Sequence, residues 1–387
     1  MFQFKEPETL FSFNDVTLWP RNSENRHIHD ADVNYRYDIK DFLEVSCPPL
    51  INAPMNTVCS SDLINYLHND LGMFVTLDRG FDSPDEQYEY MLSCNLDYEE
   101  HGFSRVFLAV GSLQKHKQWI DSLILSSRRL NNESKVSPFS FLVDMANGDT
   151  LTCVETVEYI REFAEPESLI MAGNVATKSG YERLAKAGAK FIRVGIGGGA
   201  ICSTRVNTGF GIPTLHSVGS IAPTKAPGTY LVADGGIEEP GDICKAMAAG
   251  ADMVMIGNML CATDLSGGIK YTDTGEISVP EDEIKWCQYT GMASEEVQKV
   301  LTQRQGGHSI EGVSGLVKYR GTTKEYVPKV LKNMQAAMAY YAGVDNWKDF
   351  YRKTKFGRFD NAGWTESKPR VHSFDVLDRS VDQGKQG

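Results

Sequence analysis

Residues 229–259 read TYLVADGGIEEPGDICKAMAAGADMVMIGNM. An apolar run of strand length, TYLVADGG (229–236), leads into EPGDICKAMAAGA (239–251), whose apolar residues recur at helical spacing. A second run, DMVMIGNM (252–259), follows. Near-continuous apolar strands joined by an amphipathic helix mark a parallel sheet covered by helices. The same unit repeats outward along the chain. Further runs are PLINAPM (49–55), MFVTL (73–77), RVFLAVG (105–111), FSFLVDMAN (139–147), SLIMAGNV (168–175) and FIRVGIG (191–197), with helical patterns at 60–72, 152–165 and 177–189. Eight such units predict an α/β fold, a (β/α)₈ TIM barrel, with a doubly wound open sheet as the competing architecture. In a barrel the strand C-termini form the active face. Here they carry Asn56, Asp78, Gly111, Asp144, Asn147, Asn174, Gly195, Asp234 and Gly257.

One catalytic domain is expected over residues 1–350, with long loops at 198–228 and 264–318 and a polar C-terminal tail at 351–387. With 387 residues, 41% of them hydrophobic, the chain can bury a sizeable core. Its net charge of −12, with no basic run, argues against a nucleic-acid partner. No apolar stretch reaches the ~18 residues of a membrane span, and MFQFKEPETLFSF (1–13) lacks the order of a signal peptide. None of the eight cysteines lies in a C-x-x-C pair, which predicts reduced thiols and a cytoplasmic location.

The stretch richest in chemistry is VGIGGGAICSTRVNTGFGIP (194–213). GIGGGA fits a dinucleotide-binding fingerprint, but ICSTRVNTGFG is too rich in glycine and β-branched residues for the helix that fingerprint requires. The alternative is a glycine-rich loop whose N–H groups bind an anion or whose carbonyls bind a monovalent cation. Cys202, beside Thr204 and Arg205 in a polar loop, sits as a nucleophile would, whereas Cys47, Cys153 and Cys244 read as inert buried thiols. VADGGI (232–237) and MIGNML (255–260) end the last two strands, where barrels often hold a phosphate. Asp234 could accept from two vicinal ribose hydroxyls or simply cap a helix.

These residues carry a resemblance. From Phe13 to Asp345 the chain resembles the inosine-5′-monophosphate dehydrogenase and guanosine-5′-monophosphate reductase family. INAPMNTV, VDMANGDT, IMAGNVAT, the 194–213 loop, MLCATDLSGG and YTGMASEE fall in family order. The resemblance implies that Cys202 attacks carbon 2 of a purine nucleotide monophosphate, with Thr204 assisting the leaving or entering group. It implies that Asp234 holds the ribose, that Gly236, Gly257, Asn258 and Tyr289 surround the phosphate, and that Met55 packs on the base. Met292, Ala293 and Glu311 would read the base edge. Asp144, Ala146, Asn147 and Gly148 would lie at the nicotinamide, with Arg79 nearby. Potassium on the carbonyls of Gly197, Gly199 and Cys202 and a homotetramer are also implied.

The resemblance leans to the reductase, which uses NADPH, expels ammonia from GMP and yields IMP. DMANG (144–148) resembles the reductases, and Glu295 matches a carboxylate that would handle ammonia, as a proton shuttle beside a leaving amine should. The Arg-Tyr pair with which dehydrogenases activate water is missing from EEVQKVLTQRQGGHSI (295–310), and the 78–105 connection is too short for an inserted CBS module. EGVSGLVKYRG (311–321) and AGWTESKPRVH (362–372) instead resemble the dehydrogenases, which use NAD. A catalytically silent nucleotide-binding barrel is the third reading. Departures from the family pattern are Gly198 for proline, Ala200 for serine, Asn258 for glycine, Asn56 for aspartate and Asp78-Arg79 for His-Lys. They predict a retuned nucleotide pocket, such as one for a deoxy or base-modified guanine nucleotide.

Overall fold

The computed structural model describes residues 8–24, 27–40, 43–94, 96, 103–134, 138–277, 280–291 and 314–367. Each of the eight apolar runs contains a strand: β1 Leu50–Asn52, β2 Val75–Leu77, β3 Val106–Val110, β4 Ser140–Asp144, β5 Ile170–Val175, β6 Phe191–Val194, β7 Tyr230–Asp234 and β8 Met253–Ile256. They form one parallel sheet in the order β1-β8-β7-β6-β5-β4-β3-β2. The last strand lies beside the first, with Val254 opposite Leu50. A doubly wound sheet would place the first strand inside, so this order identifies a (β/α)₈ barrel.

The seam between β1 and β2 is stitched by a side chain. Asn52, fully buried, accepts from the Thr76 amide through Oδ1 (2.8 Å) and donates through Nδ2 to the Thr76 carbonyl (2.8 Å). The Thr76 hydroxyl in turn donates to the Asn52 carbonyl (2.8 Å). A carboxamide carries a donor and an acceptor in the same relation as a peptide, so it can stand in for a ladder bond.

A helix follows each strand: α1 Ser61–Asn65, α2 Pro84–Ser93, α3 Leu113–Ser134, α4 Leu151–Phe163, α5 Lys178–Ala187, α6 Thr214–Ile221, α7 Pro240–Ala248 and α8 Thr323–Ala336. Ser60, Ser83, Thr150, Thr177 and Thr322 cap five of them, each side chain accepting an otherwise unpaired N–H of the first turn. Such a cap contributes about 1 kcal/mol.

Alternation along the strands divides the core. Phe107, Leu142, Phe191, Val232 and Met253 point into the barrel, while Leu108, Val143, Ile192 and Leu231 face the helices. The antiparallel hairpin Tyr35–Lys40 with Leu43–Cys47 closes the lower end. Its Tyr37 is fully buried, with ring centroids 5.5 Å from Phe74, 5.9 Å from Phe191 and 5.1 Å from Tyr230. Aromatic bulk fills the bottom, so polar chemistry is confined to the strand C-termini.

Three expected boundaries move. The 198–228 stretch contains a short helix, Thr204–Thr208, and the sixth barrel helix α6, so the irregular loop ends at Pro213. The 264–318 excursion contributes an antiparallel sheet of Lys270–Tyr271, Trp286–Thr290 and Ser314–Lys318. The segment from 351 is not simply a tail. Trp347–Lys353 is helical, and Phe356–Arg358 pairs with Val16–Leu18. That pairing joins residues far apart in sequence, which local polarity does not reveal. No described helix is long and apolar enough to cross a membrane.

Replacing Asn52 with leucine strands the Thr76 amide at about 1–3 kcal/mol, while the Thr76 carbonyl keeps only the weak Cys59 thiol donor (3.3 Å). We expect urea titration of Asn52→Leu to show a loss of roughly 1–3 kcal/mol. A loss within experimental error would show that the seam does not need the carboxamide.

Candidate active site

Alternation along buried strands brings three charged residues to the top of the barrel. Counting inward positions, β4 presents Ser140, Leu142 and Asp144, β6 presents Phe191 and Arg193, and β7 presents Tyr230, Val232 and Asp234. Arg193, whose side chain is 8% exposed, spans the axis. Its Nη1 donates to Asp144 Oδ1 (2.6 Å) and its Nη2 to Asp234 Oδ2 (2.8 Å). Arg79, at the end of β2, donates to the other oxygen of Asp144 (3.2 Å), and Asn174, on β5, donates to Asp234 Oδ2 (2.7 Å). Among the described residues Asp234 Oδ1 makes no hydrogen bond, so one oxygen of this rigidly held carboxylate remains for a ligand.

Burial pushes the Asp144 carboxyl up, but Arg193 and Arg79 outweigh it and hold the group below the usual carboxylate range. Burial likewise pushes Arg193 down, and Asp234 and Asp144 more than restore it. The Asp144–Arg193 pair is therefore ionised throughout the neutral range.

The cysteine loop leaves β6 at Gly195 and returns at Ile212, which bridges Ile196. Close glycine packing presses it onto the β7 turn: a Cβ on Gly235 would lie 2.9 Å from the Gly199 nitrogen, and one on Gly195 2.0 Å from the Asp234 carbonyl. Cys202 closes a turn, its amide donating to the Gly199 carbonyl (3.0 Å), one of the three carbonyls expected to face a cation. Its thiol donates to the Thr204 hydroxyl (3.2 Å). Of the eight cysteines it alone is not buried. Burial pushes the thiols of Cys47, Cys94, Cys153, Cys244 and Cys261 up to about 12 and that of Cys287 to about 11. Cys59 is driven up by the same cause.

Cys202, Met55, Asp144, Asp234, Gly236, Gly257, Asn258 and Tyr289 line one cleft. Gly257 lies against the Tyr289 hydroxyl, where a Cβ would come within 2.5 Å of the oxygen. Ala146 and Asn147 stand exposed after β4, and Gly148 packs on the Gly173 backbone. Gly197 takes a left-handed φ of 83° on the loop before Cys202. Met292, Ala293, Glu295 and Glu311 lie outside the described residues. Motif reading passes over Arg193 as a site residue, although an arginine at an inward position of an otherwise apolar strand is an available signal.

Fold and site together define a barrel enzyme with one accessible thiol beside a carboxylate- and glycine-lined cleft. A family model described as IMP dehydrogenase / GMP reductase domain matches residues 10–372, and the chain belongs to that family. A protein named GMP reductase from Klebsiella pneumoniae is 29% identical over 359 residues, covering 91% of this chain and 96% of its own length. Proteins named inosine-5′-monophosphate dehydrogenase are 35% identical over 250 residues in Methanocaldococcus jannaschii (59% of this chain) and over 281 in Chlorobaculum parvum (70%). The chain spans about half the length of those two, 47% and 53%.

Removing one member of a buried ion pair costs about 3–5 kcal/mol. We expect Arg193→Met to destabilise by that order at neutral pH. The sign of the pH dependence follows from the carboxyls. With Arg193, Asp144 is depressed and contributes stability above its unfolded value of about 3.9, lost as pH falls through the lower folded value. Without Arg193, the burial that raises the Asp144 carboxyl is opposed by Arg79 alone, so its folded value lies higher than in the unsubstituted protein and acidification narrows the stability gap between the two. Melting temperatures of both proteins between about pH 8 and about pH 5.5 check this, and a pH-independent gap between them contradicts it.

Proposed function

We propose that this chain is an NADPH-dependent oxidoreductase that converts GMP, or a closely related guanine nucleotide, to IMP and ammonia through a covalent adduct on Cys202. The observation that carries the reading is the pairing of the single accessible thiol with Thr204 on the wall of a cleft that also contains the free oxygen of Asp234. Supporting it, proteins named GMP reductase align with 91% of the chain and 96% of their own length, and the 78–105 connection is short.

The balance is GMP, NADPH and two protons giving IMP, NADP⁺ and ammonium. Asp234 Oδ1 accepts from the ribose hydroxyls, while Gly236, Gly257, Asn258 and Tyr289 meet the phosphate with N–H and O–H donors. Met55 packs on the base, and Met292, Ala293 and Glu311 meet its edge. The Cys202 thiolate adds to carbon 2, and the exocyclic amine leaves as ammonia once protonated. Thr204 and Glu295 carry that proton. The resulting thioimidate is reduced at carbon 2, and the thiolate is released. The nicotinamide cofactor supplies the hydride when bound. The exposed shelf of Ala146 and Asn147, with Gly148, Asp144 and Arg79 beside it, has the small side chains and fixed charges to hold it against the cleft. On this reading the enzyme is a cytoplasmic homotetramer.

The second reading is an IMP dehydrogenase using NAD and making XMP, favoured by the 35% identity to proteins of that name and by EGVSGLVKYRG. Following nicotinamide absorbance with GMP plus NADPH, and separately with IMP plus NAD, separates the two. We expect oxidation of NADPH with GMP. Cys202→Ala should lose turnover by several orders of magnitude, as removal of a covalent nucleophile does. Thr204→Val should cost roughly 10²-fold or more in kcat with little change in KM. Turnover that survives Cys202→Ala rules out the covalent route.

A further inference from the structure

Thr214 opens helix α6, just after the cysteine loop has returned at Ile212 and turned at Pro213. It is 2% exposed and does not line the cleft. Its hydroxyl nevertheless lies where three segments of the active face meet. The β6–β7 ladder ends with Val194 opposite Ala233, and one residue further on the Thr214 hydroxyl donates to the Asp234 carbonyl (3.0 Å). The same oxygen would stand 2.7 Å from a Cβ on Gly195 and 2.9 Å from a Cβ on Gly198. One side-chain oxygen therefore touches the base of the cysteine loop, the loop itself and the end of the strand that carries Asp234.

The contact at Gly198 makes the two positions a matched pair. A side-chain carbon does not settle within 3.0 Å of such an oxygen, so alanine at 198, or the proline of the family pattern, needs Thr214 to move. Thr214 is branched at Cβ and has few rotamers, and turning its hydroxyl away breaks the bond to Asp234. The glycine at 198 is the residue that this threonine permits. The Asp234 carboxylate, by contrast, is held independently by Arg193 and Asn174. Loss of the Thr214 hydroxyl therefore frees the cysteine loop from the β7 turn and leaves that carboxylate in place.

We propose that Thr214 is a positioning residue for the reaction. Its hydroxyl, matched to the missing side chain at Gly198, sets how far the Cys202 loop stands from the β7 turn, and so where the Cys202 sulfur meets the base. The effect on turnover rests on the proposed role of Cys202, whereas the effect on the loop does not.

The test uses the full chain. Thr214→Val keeps the shape of the side chain and removes the donor. With GMP and NADPH its kcat should fall about tenfold or more, because small displacements of a reacting group are costly, while KM changes little. Thr214→Ser keeps the hydroxyl and should restore most of kcat. Iodoacetamide should alkylate Cys202, followed by peptide mass well below the melting temperature, about two- to tenfold faster in Thr214→Val, as loss of one hydrogen bond from a local opening implies. Gly198→Ala should also lower kcat, and should lower it less in a Thr214→Ala background, where the space is open. Should Thr214→Val fail to fold, Thr214→Ala removes the same donor and takes its place. The proposal is overturned by unchanged kcat and alkylation in Thr214→Val, by equal losses in the valine and serine variants, or by a Gly198→Ala effect that is the same in both backgrounds. If the unsubstituted protein does not turn over GMP, the reductase reading fails, and the alkylation rates alone then decide whether Thr214 holds the loop.

Discussion

The active face is organised by one buried guanidinium. Arg193 ties the β4 carboxylate Asp144 to the β7 carboxylate Asp234 across the barrel axis. Two carboxylates at the dry mouth of a barrel would otherwise repel each other. With Arg193 between them Asp144 stays ionised and both are fixed in direction, one oxygen of Asp234 being occupied and the other left for a ligand. Arg193 is also a cost, because a buried ion pair barely repays its desolvation. A barrel built only for stability would have an aliphatic side chain there.

The two ends of the barrel divide the work. The aromatic cluster around Tyr37 fills the lower end with apolar bulk, which anchors strands whose upper ends must carry charge. The Asn52 stitch serves the same purpose at the β1–β2 seam, where a side chain substitutes for backbone pairing. Between these constraints the cysteine loop is positioned by contact rather than by regular structure. Gly195 and Gly235 bring two backbones closer than a side chain would allow. Cys202 is thereby held over the cleft with a threonine in reach, while the other seven thiols are buried and driven far from ionisation.

Much of this is legible in the residues. The eight strands fall where the apolar runs fall, because a strand buried on both faces has no polar positions to confuse it. Cys202 stands out by its polar, glycine-rich surroundings, and it is the one accessible thiol. The 198–228 loop looks longer in sequence than it is in the fold. Its second half is α6, TLHSVGSI (214–221), whose mix of small and apolar residues lacks a strong polar face. The partner of Phe356–Arg358 is not legible, since its pairing residues lie more than three hundred positions away.

The sequence by itself determined the strands, the α/β class, the family and the candidate nucleophile, because each is written in local periodicity or in a contiguous motif. Only the tertiary structure decided that Asp144, Arg193 and Asp234 share one charge network, that Asn52 closes the seam, and that Cys202 and Asp234 line one cleft. Those facts depend on which strands are neighbours and on how closely two backbones approach. Such distances are set by closure of the sheet and by packing, and no window of adjacent residues contains them.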